Sequence, residues 1–170
     1  MSVGPRLRTD VVDVYVFRRT PEVELLQLRR AAEPFAGAWH PIMGHVEPGE
    51  TAVQTAAREL GEEVGLAAGT AAVLGAWQLE QTHPFFLADR DEIVLSPRFV
   101  VEAEAGFQPL LNDEHDAHRW IPIAEAPRAF IWPGQRHAIR ELAETVLPGG
   151  DSAAALSLLG AAGAFARPQA

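Results

Sequence analysis

Residues 58–63 read Arg-Glu-Leu-Gly-Glu-Glu. On a helix, Glu59, Glu62 and Glu63 stand at i, i+3 and i+4, one face of one turn. Like charges at that spacing repel one another, in a chain whose net charge is already -9. Two uses fit such a cluster. It can be solvated surface charge, as charge runs usually are. Or it can bind a hard cation: Mg²⁺ and Mn²⁺ prefer oxygen ligands, and Mg²⁺ typically takes one or two carboxylates together with water and substrate phosphates. Arg58 lies beside Glu59 and eight residues after Glu50, where a guanidinium can fix carboxylates through parallel hydrogen bonds. Gly44, Pro48 and Gly49 form a tight loop ahead of this segment, and a loop feeding a helix start offers backbone groups to a phosphate or a metal.

The elements that must position these groups can be read from the chain. Thr51 and Gln54 make a capping box, and Val53, Ala56, Leu60 and Val64 repeat at helical intervals. Gly65 is placed for a left-handed cap, so a helix is predicted over about 52–64. Gly61 inside it costs roughly 1 kcal/mol against alanine, which suggests either close approach of another group or simple tolerance. Strands are expected at 11–17, 22–30, 38–46 (interrupted by Pro41), 72–81 and 92–104. Residues 82–91 read as a loop exposing Phe85 and Phe86. A short strand, turn and brief helix are expected over 118–130, and a helix over 133–147 with Pro133 in its first turn. One domain is expected over 1–148. The Ala-rich stretch 149–170 reads as a weak surface helix or a frayed tail.

Composition narrows the classes. With 170 residues and 48% apolar content, one folded domain with a sizeable core is expected. There are no cysteines, which removes disulfides, thiolate catalysis and Cys-type zinc sites. No run of about 18 apolar residues appears, so no membrane span is expected. The first residues lack an apolar signal region, and a cytoplasmic location follows by default. The 23 Asp+Glu against 14 Lys+Arg argue against a nucleic-acid polymer as partner, because that binding runs on basic patches. A small phosphorylated substrate remains compatible if a divalent cation mediates the contact.

Residues 44–66, GHVEPGETAVQTAARELGEEVGL, match the Nudix box G-x5-E-x7-R-E-U-x-E-E-x-G-U (U aliphatic) without a mismatch. The fixed positions are Gly44, Glu50, Arg58, Glu59, Leu60, Glu62, Glu63, Gly65 and Leu66. The chain therefore resembles the Nudix hydrolases. The resemblance implies an α/β fold, an α/β/α sandwich around a mixed sheet. It implies hydrolysis of a P–O–P bridge with Mg²⁺, or alternatively Mn²⁺. Glu62 and Glu63 match metal ligands of the family. Glu59 matches a third ligand or the residue that positions or deprotonates water. The Gly44 carbonyl matches a further ligand, Arg58 the arginine that orients the glutamates, and Glu50 a structural acid. Many relatives add a carboxylate from outside the box, and 112–120 is the candidate stretch: Glu114 is the expected residue, with Asp116 and His115 as alternatives.

The stretches WHPIMG (39–44), EHDAHRW (114–120) and WPGQRHAI (132–139) are similar to bacterial dihydroneopterin triphosphate pyrophosphatases. That likeness implies a triphosphate cleaved to monophosphate and pyrophosphate. The alternatives are a nucleoside diphosphate linked to another group, such as ADP-ribose or a dinucleotide, and a non-catalytic Nudix-fold binding domain. Trp39, Trp77, Phe85, Phe86, Trp120 and Trp132 are candidate stacking partners for a base or pterin, with core packing as the plainer role. Arg29, Arg30, Arg98 and Arg136 are candidate phosphate contacts. His40, His45 and His83 have no metal-like spacing and are expected to be non-ligands. The expected assembly is a monomer or homodimer.

Overall fold

The computed structural model describes residues 4–159 and 163–166. Among these residues, ten strands form two sheets. β-branched runs supply the centre of the larger one. Its strands are β2 (Val11–Arg19), β3 (Val23–Arg30), β4 (Trp39–His40), β5 (Ile42–His45), β6 (Val73–Gln78), β9 (Arg98–Ala103) and β10 (His115–Pro122). Their order is β10-β3-β2-β9-β6, with β4 beside β3 and β5 beside β2. The β2–β9 pair is parallel and the rest are antiparallel, so the sheet is mixed. A smaller sheet joins β1 (Arg6–Arg8), β8 (Glu92–Val94) and β7 (Phe85–Leu87).

Alternation along the central strands sends side chains to two cores. Val12, Val14, Val16, Leu28 and Phe99 face α1 (Ala52–Val64), which buries Ala56, Leu60 and Val64 against them. Tyr15, Phe17, Leu25 and Val100 face the other way, onto α2 (Ala126–Ala129) and α3 (Pro133–Glu141) through Phe130, Ala138 and Ile139. The result is the expected α/β/α sandwich around a mixed sheet.

Several local expectations change. Phe85 and Phe86 are exposed, as expected, but stand on a strand rather than in a loop. The run 92–104 divides into β8 and β9 around Ser96-Pro97, because proline breaks the ladder. The helix expected over 133–147 loosens into a π-turn at Leu142–Val146, where the Leu147 amide reaches back to the Leu142 carbonyl at 2.9 Å. A Cβ built on Gly61 would meet nothing within 4 Å, so tolerance explains that glycine and close approach does not. Within 149–170, Asp151–Leu156 form α4, Ser157 bridges Trp77 at the edge of β6, and Phe165 is 1% exposed in the core under α1. Positions 1–3, 160–162 and 167–170, on which part of the leader and tail readings fall, lie outside the described residues.

Candidate active site

Both ends of α1 are fixed by local chemistry. The Thr51 hydroxyl accepts the Gln54 amide at 3.3 Å, and Gln54 Oε1 accepts the Thr51 amide at 2.8 Å, closing the capping box. Gly65 adopts φ 73° and returns its amide to the Gly61 carbonyl at 3.0 Å. The turn that carries the glutamates is therefore held by interactions independent of them.

Arg58 answers the repulsion among the carboxylates. Its Nε and Nη2 donate to Glu50 at 2.9 and 3.1 Å, a two-point pair. Its Nη1 donates to Glu59 at 2.8 Å and to Glu62 at 2.9 Å, and Nη2 also reaches the His45 carbonyl at 2.9 Å. One guanidinium thus ties the helix to the preceding loop and gathers three acids. Hydrogen bonding to Arg58 pulls the Glu50 carboxyl down to about 2.

Gly44 lies on β5, opposite Val12 of β2. A Cβ there would overlap the Cγ, Cδ and Oε1 of Glu59, so a bare backbone is required for that carboxylate to lie flat on the strand. Burial raises the Glu59 pKa, with Arg58 opposing.

Exposure grades sharply across the three glutamates. The Glu62 side chain is 57% exposed, that of Glu59 12% and that of Glu63 2%. Flanking position on the stripe thus understates Glu63, which lies inside. Its acid is pushed up to about 9, first by burial and then by the charges of Glu59 and Glu114. Glu63 Oε2 has no hydrogen-bond partner and faces His115 Nε2 at 3.7 Å. His115 is buried and its ring lies 5.1 Å from that of His40. Burial, then His40, pushes His115 down to about 4. The sequence named His115 as an alternative to Glu114 and His40 as a non-ligand, and gave no sign that the two imidazoles pair in the interior. The signal lies in a β-bulge between His115 and Ala117, which turns His115 toward α1, and register is not visible in residue spacing.

The stretch 112–120 does approach the site. Glu114 is exposed, and its charge acts on Glu59, Glu63 and His40. Asp116 turns away to pair with Arg29 at 2.7 Å. Among the candidate arginines, Arg98 is buried against Asp13 and Arg136 donates to the carbonyls of Phe130 and Ile131, while Arg30 sits behind the site near Glu63 and His115. Trp39 and Trp120 carry guanidinium partners, Arg119 at 4.2 Å and Arg18 at 4.1 Å.

The donor chemistry fits a divalent cation: clustered carboxylates, one of them buried with an orphaned oxygen that a cation would satisfy. Among the described residues, however, no three His, Asp or Glu side chains converge closely enough to enclose an ion. The ion pairs of Arg58 draw Glu59 and Glu62 toward the guanidinium. Among the described residues no helix is long and apolar enough to cross a membrane.

The sequence model of the NUDIX domain matches residues 7–142. The asymmetrical bis(5'-nucleosyl)-tetraphosphatase of Sus scrofa is 34% identical over 112 residues, 61% of this chain and 68% of that protein. An octanoyltransferase of Myxococcus xanthus is 32% identical over 142 residues, 82% of this chain; the chain spans only 38% of that protein. In fold, the chain is similar to the dihydroneopterin triphosphate pyrophosphohydrolase of E. coli, with TM-score 0.67, 23% identity and coverage of 82% of this chain and 97% of the other. It is also similar to an Ap4A hydrolase of C. elegans, with TM-score 0.66, 19% identity and coverage of 79% and 95%. The family match extends well beyond the box, across both faces of the sheet, and the chain belongs to the Nudix family.

Proposed function

We propose that this chain cleaves a phosphoanhydride bond of a nucleoside or pterin triphosphate, with Mg²⁺ or Mn²⁺, to give a monophosphate and pyrophosphate. The observation that carries the reading is Glu63, a buried acid with an unpartnered oxygen beside two carboxylates that Arg58 holds. The resemblance of 39–44, 114–120 and 132–139 to dihydroneopterin triphosphate pyrophosphatases supports the triphosphate.

Glu59, Glu62, Glu63, Glu114 and the Gly44 carbonyl would hold the cation. When bound, it supplies charge neutralisation to the polyphosphate and Lewis acidity to the attacking water. Arg58 holds Glu59 and Glu62 beside the site, from where a cation would draw their carboxylates together. Glu59, with its raised pKa, is suited to position the water or take its proton. Glu114 would add an acid from the turn that precedes β10. Residues 1–148 would form the catalytic domain, acting on a small phosphorylated molecule as a monomer or homodimer in the cytoplasm.

A second reading is a dinucleotide polyphosphate or another diphosphate-linked nucleotide, supported by the likeness to the Sus scrofa tetraphosphatase. A panel of phosphorylated substrates with Mg²⁺, its products resolved by chromatography, separates the two. Pyrophosphate from a triphosphate supports the first reading. Efficient turnover of dinucleotides with triphosphates untouched replaces it with the second.

A further inference from the structure

The environment of Glu63 contains a feature that carboxylate chemistry leaves unexplained. Three polar atoms there, His40 Nε2, His115 Nε2 and Glu63 Oε2, are buried and lack hydrogen-bond partners. The imidazole tautomers follow from their other nitrogens. His115 Nδ1 lies 3.1 Å from Asn112 Oδ1, and that same oxygen accepts the Glu114 amide at 3.2 Å, which identifies it as an acceptor. His115 Nδ1 therefore carries the proton and donates it. His40 Nδ1 lies 2.6 Å from the Pro41 carbonyl, which can only accept, so it too donates. Both Nε2 atoms are left as bare lone pairs.

A lone pair on His115 Nε2 thus faces a carboxylate oxygen across 3.7 Å, in a place where both side chains are 2% exposed or less. The gap is too wide for a hydrogen bond whether or not the Glu63 acid holds its proton, so both atoms stay unsatisfied. An imidazole whose second nitrogen donates to a carbonyl or carboxamide is the usual form of a metal-bound histidine. Charge agrees: the carboxylates of Glu59 and Glu114 act on Glu63 against Arg30, while Arg58 is engaged by Glu50, Glu59 and Glu62.

The geometry points to His115 Nε2 as a nitrogen donor to the divalent cation held by Glu63, which biases the site toward transition-metal ions such as Mn²⁺ over Mg²⁺. This inference rests on the cation-binding reading above. The physical reason for the bias is ligand type: imidazole suits transition metals, whereas Mg²⁺ favours oxygen. The bulge at His115/Ala117 makes the contact available, because it sets His115 opposite Arg30 on the face that meets α1.

The test is pulsed electron paramagnetic resonance on chelator-stripped protein loaded with Mn²⁺, in unlabelled and ¹⁵N-histidine-labelled forms. The expected result is nitrogen modulation that changes with the label, is lost in His115→Gln and survives in His40→Gln. In parallel, His115→Gln should weaken Mn²⁺ binding by about 10-fold or more, with a smaller change for Mg²⁺. Mn²⁺ bound without histidine nitrogen coupling, or coupling retained in His115→Gln, overturns the inference and leaves the carboxylate site standing. No Mn²⁺ uptake by the wild-type protein overturns the cation reading itself. If His115→Gln fails to fold, the labelled wild-type and His40→Gln spectra decide the question.

Discussion

Glu63 and Gly44 show how single residues set this site. Glu63→Gln keeps shape and removes the charge, so turnover should fall by orders of magnitude while circular dichroism stays unchanged. The same is expected of Glu62→Gln, and a milder loss of Glu114→Gln, whose side chain approaches from a separate loop. Near-normal rates in both Glu62 and Glu63 variants would remove those residues from the cation site. Gly44→Ala tests positioning: the added methyl overlaps the end of Glu59, a flexible chain that can swing aside at little cost in stability. We expect turnover to drop about 10²-fold, the scale of a 1 Å misplacement, with the melting temperature nearly kept. An unchanged rate would show that Glu59 need not lie on Gly44. The types and spacing of the acids, and the place of Arg58, were legible in residues 44–66. The burial of Glu63 and the imidazoles behind it were not, because they depend on which strand lies across from α1 and on a one-residue bulge.

At the scale of elements, the structure is most legible where local chemistry decides it. The helix at Ala52–Val64 carries its own start and stop in Thr51, Gln54 and Gly65, and the expected limits match. Thr51→Ala should therefore cost about 1 kcal/mol in denaturant unfolding, with activity per folded molecule retained. A change near zero would show that packing alone fixes the helix start. Elements that exist only through pairing were missed: β1 and β7 have three residues each and are stable only beside β8. Strand β10 begins three residues before the expected start at His118, because pairing with β3 takes in His115 and Ala117, with Asp116 in the bulge between them. The Ala-rich tail shows the same limit. Nothing in its composition marks Phe165, yet that ring is buried under α1, and Leu158 donates to the Ala76 carbonyl at 2.8 Å. Phe165→Ala should cost roughly 3 kcal/mol, as for a buried aromatic. A loss below about 0.5 kcal/mol would return the segment to the role of an appendage.

On the scale of the whole molecule, the ion pairs that shape the site also set its tolerance of acid. The folded pKa of Glu50, about 2, lies below its ordinary value of 4.5 because Arg58 favours the carboxylate. The sign follows: this contribution is complete above pH 4.5 and disappears as pH falls toward 2. Melting temperature recorded from pH 2 to 7 should show Glu50→Gln less stable than wild type at neutral pH and equal to it near pH 2. Parallel curves would mean that solvent screens the pair completely. The overall architecture was legible because the box is a fixed-spacing motif and the strands are β-branched, whereas the substrate is not, because loops and pockets select it. For a chain of net charge -9 to work on polyphosphates as proposed, its acidic site needs positive charge. The most direct test strips the protein with chelator and measures phosphoanhydride hydrolysis before and after Mg²⁺ or Mn²⁺ is restored, in wild type and Glu63→Gln. The account predicts no turnover without the cation, full recovery in wild type and almost none in the variant. Hydrolysis that continues in the stripped protein, or a Glu63→Gln variant restored as fully as wild type, would contradict it.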